Sequence, residues 1–117
     1  MSKNEEYEIT SYCKDGKDHF SEWFKNLTTK TQDIVLLRLA RVKSGNFGDC
    51  KHIAEKIYEL RIHYGAGYRI YLTKEKHGAG QKIVILLCAG DKSSQSKDIK
   101  KVKLLLANYL EKKLHNI

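Results

Sequence analysis

Residues 58–72 read YELRIHYGAGYRIYL. An extended chain turns alternate side chains to opposite faces. Tyr58, Leu60, Ile62 and Tyr64 therefore share one face, and across the bend Tyr68, Ile70 and Leu72 continue it. Gly65 and Gly67 suit the bend, because glycine accepts the positive φ that tight turns require. The pattern predicts an antiparallel hairpin with a core on one side. The other side gathers Glu59, Arg61, His63, Arg69, Tyr71 and Thr73, which predicts a basic, polar surface.

The other segments supply the partners such a hairpin needs. YEITSY, residues 7–12, is short and β-prone. In DGKDHFSEWFKNL, Phe20, Trp23, Phe24 and Leu27 recur at helical spacing, and Asp18 stands where a cap belongs. TQDIVLLRLARVKSG predicts a second helix with Ile34, Leu37 and Val42 on its inner side and Gly45 as its stop. So short a link predicts that the two helices pack antiparallel. Residues 45–56 read as a polar, glycine-containing loop, and KEKHGAGQ as a turn. KIVILLCAG is a continuous apolar run of strand length, as expected for a strand covered on both faces. From about Ser96, Ile99, Val102, Leu106, Tyr109 and Leu110 predict a last helix with lysines outward. The order is strand, two helices, three strands, helix, an α+β domain with antiparallel strands gathered behind a helical hairpin.

A chain of 117 residues with 41% hydrophobic content suits one domain, 1–117, and not two. Its 22 Lys and Arg against 14 Asp and Glu leave a net charge of +8, a field that attracts polyanions. The same excess also fits a basic protein whose lysines are merely solvated. Three cysteines, an odd number without short metal-ligand spacing, argue against zinc and for a reducing compartment. Cys88, inside the apolar run, reads as a buried small hydrophobe. Without a leader, an apolar run of membrane length or a lipidation motif, a cytoplasmic protein with no membrane association and no metal or other cofactor is expected.

Arg61 and Arg69 carry the clearest chemical signal. Guanidinium forks fit phosphate oxygens, and two on one sheet face could hold a phosphodiester from both sides. The competing reading is a cross-strand network in which they only neutralise Glu59. Tyr71 and His63 could exchange a proton with a ribose hydroxyl or stack on a base. Lys92 follows Gly90 and Asp91 at a strand end, a place for functional side chains and equally for an ordinary turn. Lys51 and His52 lie in the loop before the hairpin.

FSEWFKNL, GNFGDCKHIAEKIYELRIHYGAGYRIYL and VILLCAGDKSSQSKDIKKV occur in this order over nearly the whole chain. With the runs ELRI, YGxGYR, GDK and SxQxxDI they resemble the RelE/ParE superfamily of toxins, and within it the HigB-like branch of addiction module killer proteins. The resemblance implies a RelE-like fold: a mostly antiparallel curved sheet backed by an N-terminal helical pair, with a C-terminal helix. It implies the toxin of a type II toxin-antitoxin system that cleaves mRNA in the ribosomal A site without a metal, by attack of a ribose 2′-hydroxyl. Arg61, Arg69 and Lys92 match the family's basic catalytic positions. Tyr71 and His63 join them as catalytic candidates, and Lys51, His52, Tyr68 and Gln95 are the expected RNA contacts. Glu59 stands where RelE has a second lysine, which leaves the general base open among His63, Tyr71 and Lys51. The expected partners are mRNA on the ribosome and a cognate antitoxin, with a helix-turn-helix part, encoded next to the toxin. ParE-like inhibition of DNA gyrase and a non-catalytic RNA-binding module are the alternatives.

Overall fold

The computed structural model describes residues 6–115. Its centre is a five-stranded mixed sheet in the order β1-β7-β6-β5-β4. Strand β1 is Glu8–Ser11, β4 is Cys50–Ala54, β5 is Ile57–Ile62, β6 is Tyr68–His77 and β7 is Gln81–Asp91. Three neighbouring pairs are antiparallel, whereas β1 lies parallel to β7 at the edge. A two-residue ladder, β2 (Cys13–Lys14) with β3 (Lys17–Asp18), leads into helix α1 (His19–Lys25), and helix α2 (Thr29–Lys43) follows. A short 3-10 turn, Lys92–Ser94, connects β7 to helix α3 (Gln95–His115).

Local chemistry sets the helix starts. The Asp18 side chain accepts the Ser21 backbone N–H, and Thr28 accepts that of Thr31. Asp91 and Ser94 form a reciprocal cap at the start of the 3-10 turn.

Helices α1 and α2 lie on one face of the sheet. Phe20, Val35, Leu39 and Val42 pack there against Leu60, Ile62, Ile70, Leu72, Val84 and Leu86. Fully burying each such aliphatic side chain is worth about 1.5–3 kcal/mol. The buried stripe of α2 is Thr31, Val35, Leu39 and Val42, so the predicted inner position of Leu37 is corrected: it is 67% exposed. Two residues along a helix turn a side chain roughly 200° away, so Leu37 must face opposite Val35 and Leu39.

The opposite face of the sheet is the larger correction. It is not an open basic surface, because α3 lies over it. Ile57, Tyr71, Ile85, Leu87 and Cys88 join Val102, Leu105 and Leu106 of α3 in a second core. Glu59, Tyr71 and Thr73 are consequently buried. The apolar run of β7 serves both cores, as its composition predicts. A register shift between Tyr71 and Leu72 skips one residue of β7, so Leu87 and Cys88 both join the α3 side.

Two segments read as irregular are strands. Residues 50–54, expected in a loop, form edge strand β4, and residues 74–77, expected in a turn, extend β6 to a tip at Gly78–Gly80. Their sequences hide this because polar residues interrupt the apolar ones: Lys51 and His52 stand between Cys50 and Ile53 in β4, and the end of β6 reads Lys-Glu-Lys-His. Among the described residues, no helix is long and apolar enough to cross a membrane.

Gly90 sits under the first turn of α3, where a methyl group would overlap the Asp98 carboxylate and the Ser94 hydroxyl. Gly90→Ala is expected to cost about 1–3 kcal/mol, the usual range for overpacking. Urea denaturation measures it as a lower midpoint with an unchanged slope.

Candidate functional site

The site is built where β5 and β6 end against the start of α3. Cross-strand register places Arg61 directly opposite Arg69, and Arg69 opposite Gly90. Two cations so placed repel each other. What reconciles them is Glu59, two residues before Arg61 on the same face and completely buried. Its carboxylate accepts Arg61 Nε at 3.0 Å, Tyr71 OH at 3.1 Å and Gln95 Nε2 at 2.7 Å. Arg69 Nε lies 3.5 Å away, in charge contact but without hydrogen-bond geometry, and is a buried donor left without a partner. Its terminal nitrogen Nη1 donates to Gly67 O at 3.4 Å.

Burial pushes the Glu59 carboxyl up, but the hydrogen bonds from Gln95, Arg61 and Tyr71 together outweigh it and hold the group below its ordinary range. Burial, with the Glu59 charge beside it, drives the Tyr71 phenol well above its ordinary value. Tyr71 is thus a permanent donor inside the protein and not the exposed proton carrier that the strand pattern suggests. Gln95, expected to touch RNA, spends its amide N–H on Glu59.

The remaining candidates separate. Lys92 is exposed and meets the β5–β6 turn, since a Cβ on Gly67 would touch Lys92 Cβ at 3.6 Å. That turn holds Gly65 and Gly67 at φ of +56° and +76°, conformations glycine adopts without strain. His63 is exposed and shares a short 2.5 Å contact between Nε2 and Asp49 Oδ2. The hydrogen bond to His63 is the main cause of a lowered Asp49 carboxyl. Tyr68 lies on the other side of the sheet, edge-on to Trp23 with ring centroids 6.0 Å apart. Lys51 and His52 sit on edge strand β4, where Lys51 pairs in register with Glu59 and the His52 ring lies tilted against Tyr58. The structure brings Arg61, Arg69, Lys92 and Gln95 to one end of the sheet, with Tyr68 at that end but on the opposite face, and leaves His52 apart on β4.

Arg38 is a residue that the sequence reading passes over. From α2 it donates to Phe47 O at 2.6 Å, Asp49 O at 3.2 Å and Arg61 O at 3.4 Å. It thereby clamps the loop before β4 to the strand that carries Arg61. Its signal is faint but real: position 38 follows buried Val35 by three residues, so a long stem there can reach the sheet.

Glu59→Gln keeps the shape and removes the charge that both arginines face. It is expected to destabilise the fold by about 3 kcal/mol, the cost of breaking a buried ion pair on one side. Because the folded-state pKa is depressed, this contribution is complete above the ordinary glutamate value of about 4.3 and fades as pH falls through the folded value. Denaturation series for the two proteins should therefore differ most near neutrality and converge in acid.

Comparison with known proteins adds the family. Residues 22–110 match the family model described as phage derived protein Gp49-like (DUF891). An uncharacterized protein of Haemophilus influenzae is 49% identical over 89 residues, covering 74% of this chain and 84% of that protein. No solved structure matches the chain. The matched span includes the second half of α1, all of α2, all of β4 to β7 and most of α3, and with them every residue of the arginine site. The chain belongs to the Gp49-like family of phage-derived proteins, a family associated with the toxins of toxin-antitoxin systems.

Proposed function

We propose that the chain is the toxin of a type II toxin-antitoxin system and, within the RelE/ParE superfamily, an endoribonuclease that cleaves mRNA in the ribosomal A site. The observation that carries this reading is the opposed pair Arg61 and Arg69, oriented by one buried carboxylate and flanked by exposed Lys92. Such a pair costs stability through like-charge repulsion and through the unpartnered Arg69 Nε. Preorganised cations are what a phosphoryl transition state needs, and their cost is an investment in chemistry rather than in folding.

In the reaction, a ribose 2′-oxygen attacks the adjacent phosphorus. The bond from phosphorus to O2′ forms, the bond to O5′ breaks, and a 2′,3′-cyclic phosphate and a 5′-hydroxyl result. A base takes the 2′-hydroxyl proton and an acid returns one to O5′. The negative charge that develops on the non-bridging oxygens meets Arg61, Arg69 and Lys92. Of the proton carriers left open by the sequence, His63 suits the task best. It is exposed, it is held through one nitrogen by Asp49, and it borders the same groove as Arg61. Tyr71 instead supports Glu59. A neighbouring antitoxin is the partner that the family association implies.

Pulse labelling after induction tests the class: protein synthesis should fall before DNA synthesis, and primer extension should map cuts within translated mRNA. DNA synthesis that stops first, with double-strand breaks, selects gyrase inhibition instead. Lys92→Ala tests the site, since its exposure predicts a stability change within about 0.5 kcal/mol. Its cleavage rate should fall by about tenfold to a hundredfold. Arg69 is a poorer probe than its strand position suggests: its side chain is only 14% exposed and contacts Glu59, so truncation also disturbs the fold.

His63→Ala should lower cleavage by about a hundredfold or more and remove one limb of the pH–rate profile. A variant that retains the full profile assigns the proton to another group.

A further inference from the structure

A second concavity shares no lining residue with the groove at Arg61. Strand β1 accompanies β7 only from Ile83 to Leu86. Past that point α1 lies against β7, and a pocket of about 250 Å³ opens between α1, α3 and the β7 edge at Cys88 and Ala89. Its walls bring together Lys17 from β3, His19, Glu22 and Trp23 from α1, and Lys101 from α3. The charges in it do not cancel. Lys17 meets Glu22 at 3.8 Å, whereas the partly buried Lys101 forms no ion pair among the described residues. Burial, and then the charges of Lys101 and Lys17, hold the His19 imidazole below its ordinary value against the opposite pull of Glu22 and Asp18. Both lysines therefore act on the same ring. Trp23 packs on Phe20 and Tyr68 with ring centroids 5.7 and 6.0 Å apart, yet it stays only partly buried and borders this pocket.

We infer that this pocket binds a nucleoside monophosphate, with the phosphate on Lys101 and His19, the base against Trp23 and the ribose hydroxyls on Glu22. A cation that folding leaves partly desolvated and unpaired gains from an anionic ligand. An indole supplies a sequence-tolerant stacking surface for a base. A carboxylate beside a phosphate site repels a bare anion but accepts ribose hydroxyls, which is why Glu22 argues for a nucleotide over inorganic phosphate. The pocket has room for one nucleotide and not for a run of strand. The same chemistry is offered by a free nucleotide and by one nucleotide of an RNA chain. Ala89 precedes Gly90, which pairs with Arg69, so an RNA chain held here would lead toward the arginine site. The pocket itself does not rest on the endoribonuclease reading.

Trp23 is the single tryptophan of the chain, so intrinsic fluorescence reports on the pocket. Adenosine 5′-monophosphate titrated into the full chain should change it saturably, with adenosine and inorganic phosphate each about tenfold weaker or worse. Lys101→Gln should weaken the nucleotide by about tenfold. His19→Gln should do so to a similar degree and carries the test if urea denaturation shows Lys101→Gln to be unstable. Lys103→Gln makes the same charge change at an exposed position turned roughly 200° around α3, and should alter affinity by less than about twofold. Proton NMR supplies a second readout. Bound phosphate favours the charged imidazole, so the nucleotide should raise the His19 pKa and leave the other histidines in place.

A short single-stranded oligoadenylate distinguishes the two sources. Binding tighter than that of the monophosphate, and lost in Lys101→Gln, places a nucleotide of an RNA chain in the pocket. An oligonucleotide that leaves bound monophosphate undisturbed makes the free nucleotide the ligand. Unchanged fluorescence, an unmoved His19, or an equal effect of Lys103→Gln overturns the inference. So does adenosine or inorganic phosphate that binds as tightly as the monophosphate, because the pocket then reads only a ring or only a charge.

Discussion

A carboxylate with no access to water organises the working end of this protein. Burying an ionised glutamate costs several kcal/mol unless donors surround it. Glu59 meets that demand with Arg61 from its own strand, Tyr71 from β6 and Gln95 from α3. Three elements are thus joined at one pair of oxygens, and Arg69 is drawn in from 3.5 Å. A second buried carboxylate does similar work at the far end of α3. Glu75 accepts Lys113 of α3 and His77, and its pKa is held low by these bonds against the effect of burial. Helix α3 is therefore fixed at both ends by charge and between them by Val102, Leu105 and Leu106. Both carboxylates lose their contribution on acidification, for the same reason of sign.

That clamping has a consequence for the arginines. A guanidinium on an open sheet face would sample many rotamers and bind phosphate only after losing that freedom. Here Arg61 is held through Nε, and Arg69 is confined to a side-chain exposure of 14%. The cross-strand neutralisation of Glu59 and the presentation of cations to an anion are then successive uses of the same groups, one fixing the geometry that the other needs. Gly90 belongs to this design, because only a residue without a side chain lets Asp98 and Ser94 descend to the sheet beside Arg69.

The fold was legible from the sequence wherever one physical demand dominated a segment. Period-two alternation in residues 58–72 specified both faces of the hairpin, since a strand has no other way to distribute side chains. The run from Lys82 to Gly90 announced a strand with two covered faces, and Asp18, as a cap, marked the first helix within one residue. Strands at the sheet margins were not legible, because β4 and the outer part of β6 carry no continuous apolar alternation and are defined by their ladder hydrogen bonds to neighbouring strands. Leu37 misled because leucine at near-helical spacing reads as core wherever no neighbour shows which way the helix is turned.

The sequence by itself determined which residues share a strand face, that Arg61, Arg69 and Lys92 come from adjoining strand ends, and which family the chain resembles. These follow from local geometry and from spacing along the chain. Only the tertiary structure decided that α3 covers the face carrying Glu59 and Tyr71. Local pattern can state that a side chain leaves the sheet on a given side, but not what distant segment waits there. Once α3 is in place, Tyr71 becomes a buried donor, Gln95 a ligand of Glu59, and the basic surface contracts to the arginine ends and Lys92. The physical reason is that solvation, which sets the character of every polar group on that face, depends on residues more than thirty positions away in sequence.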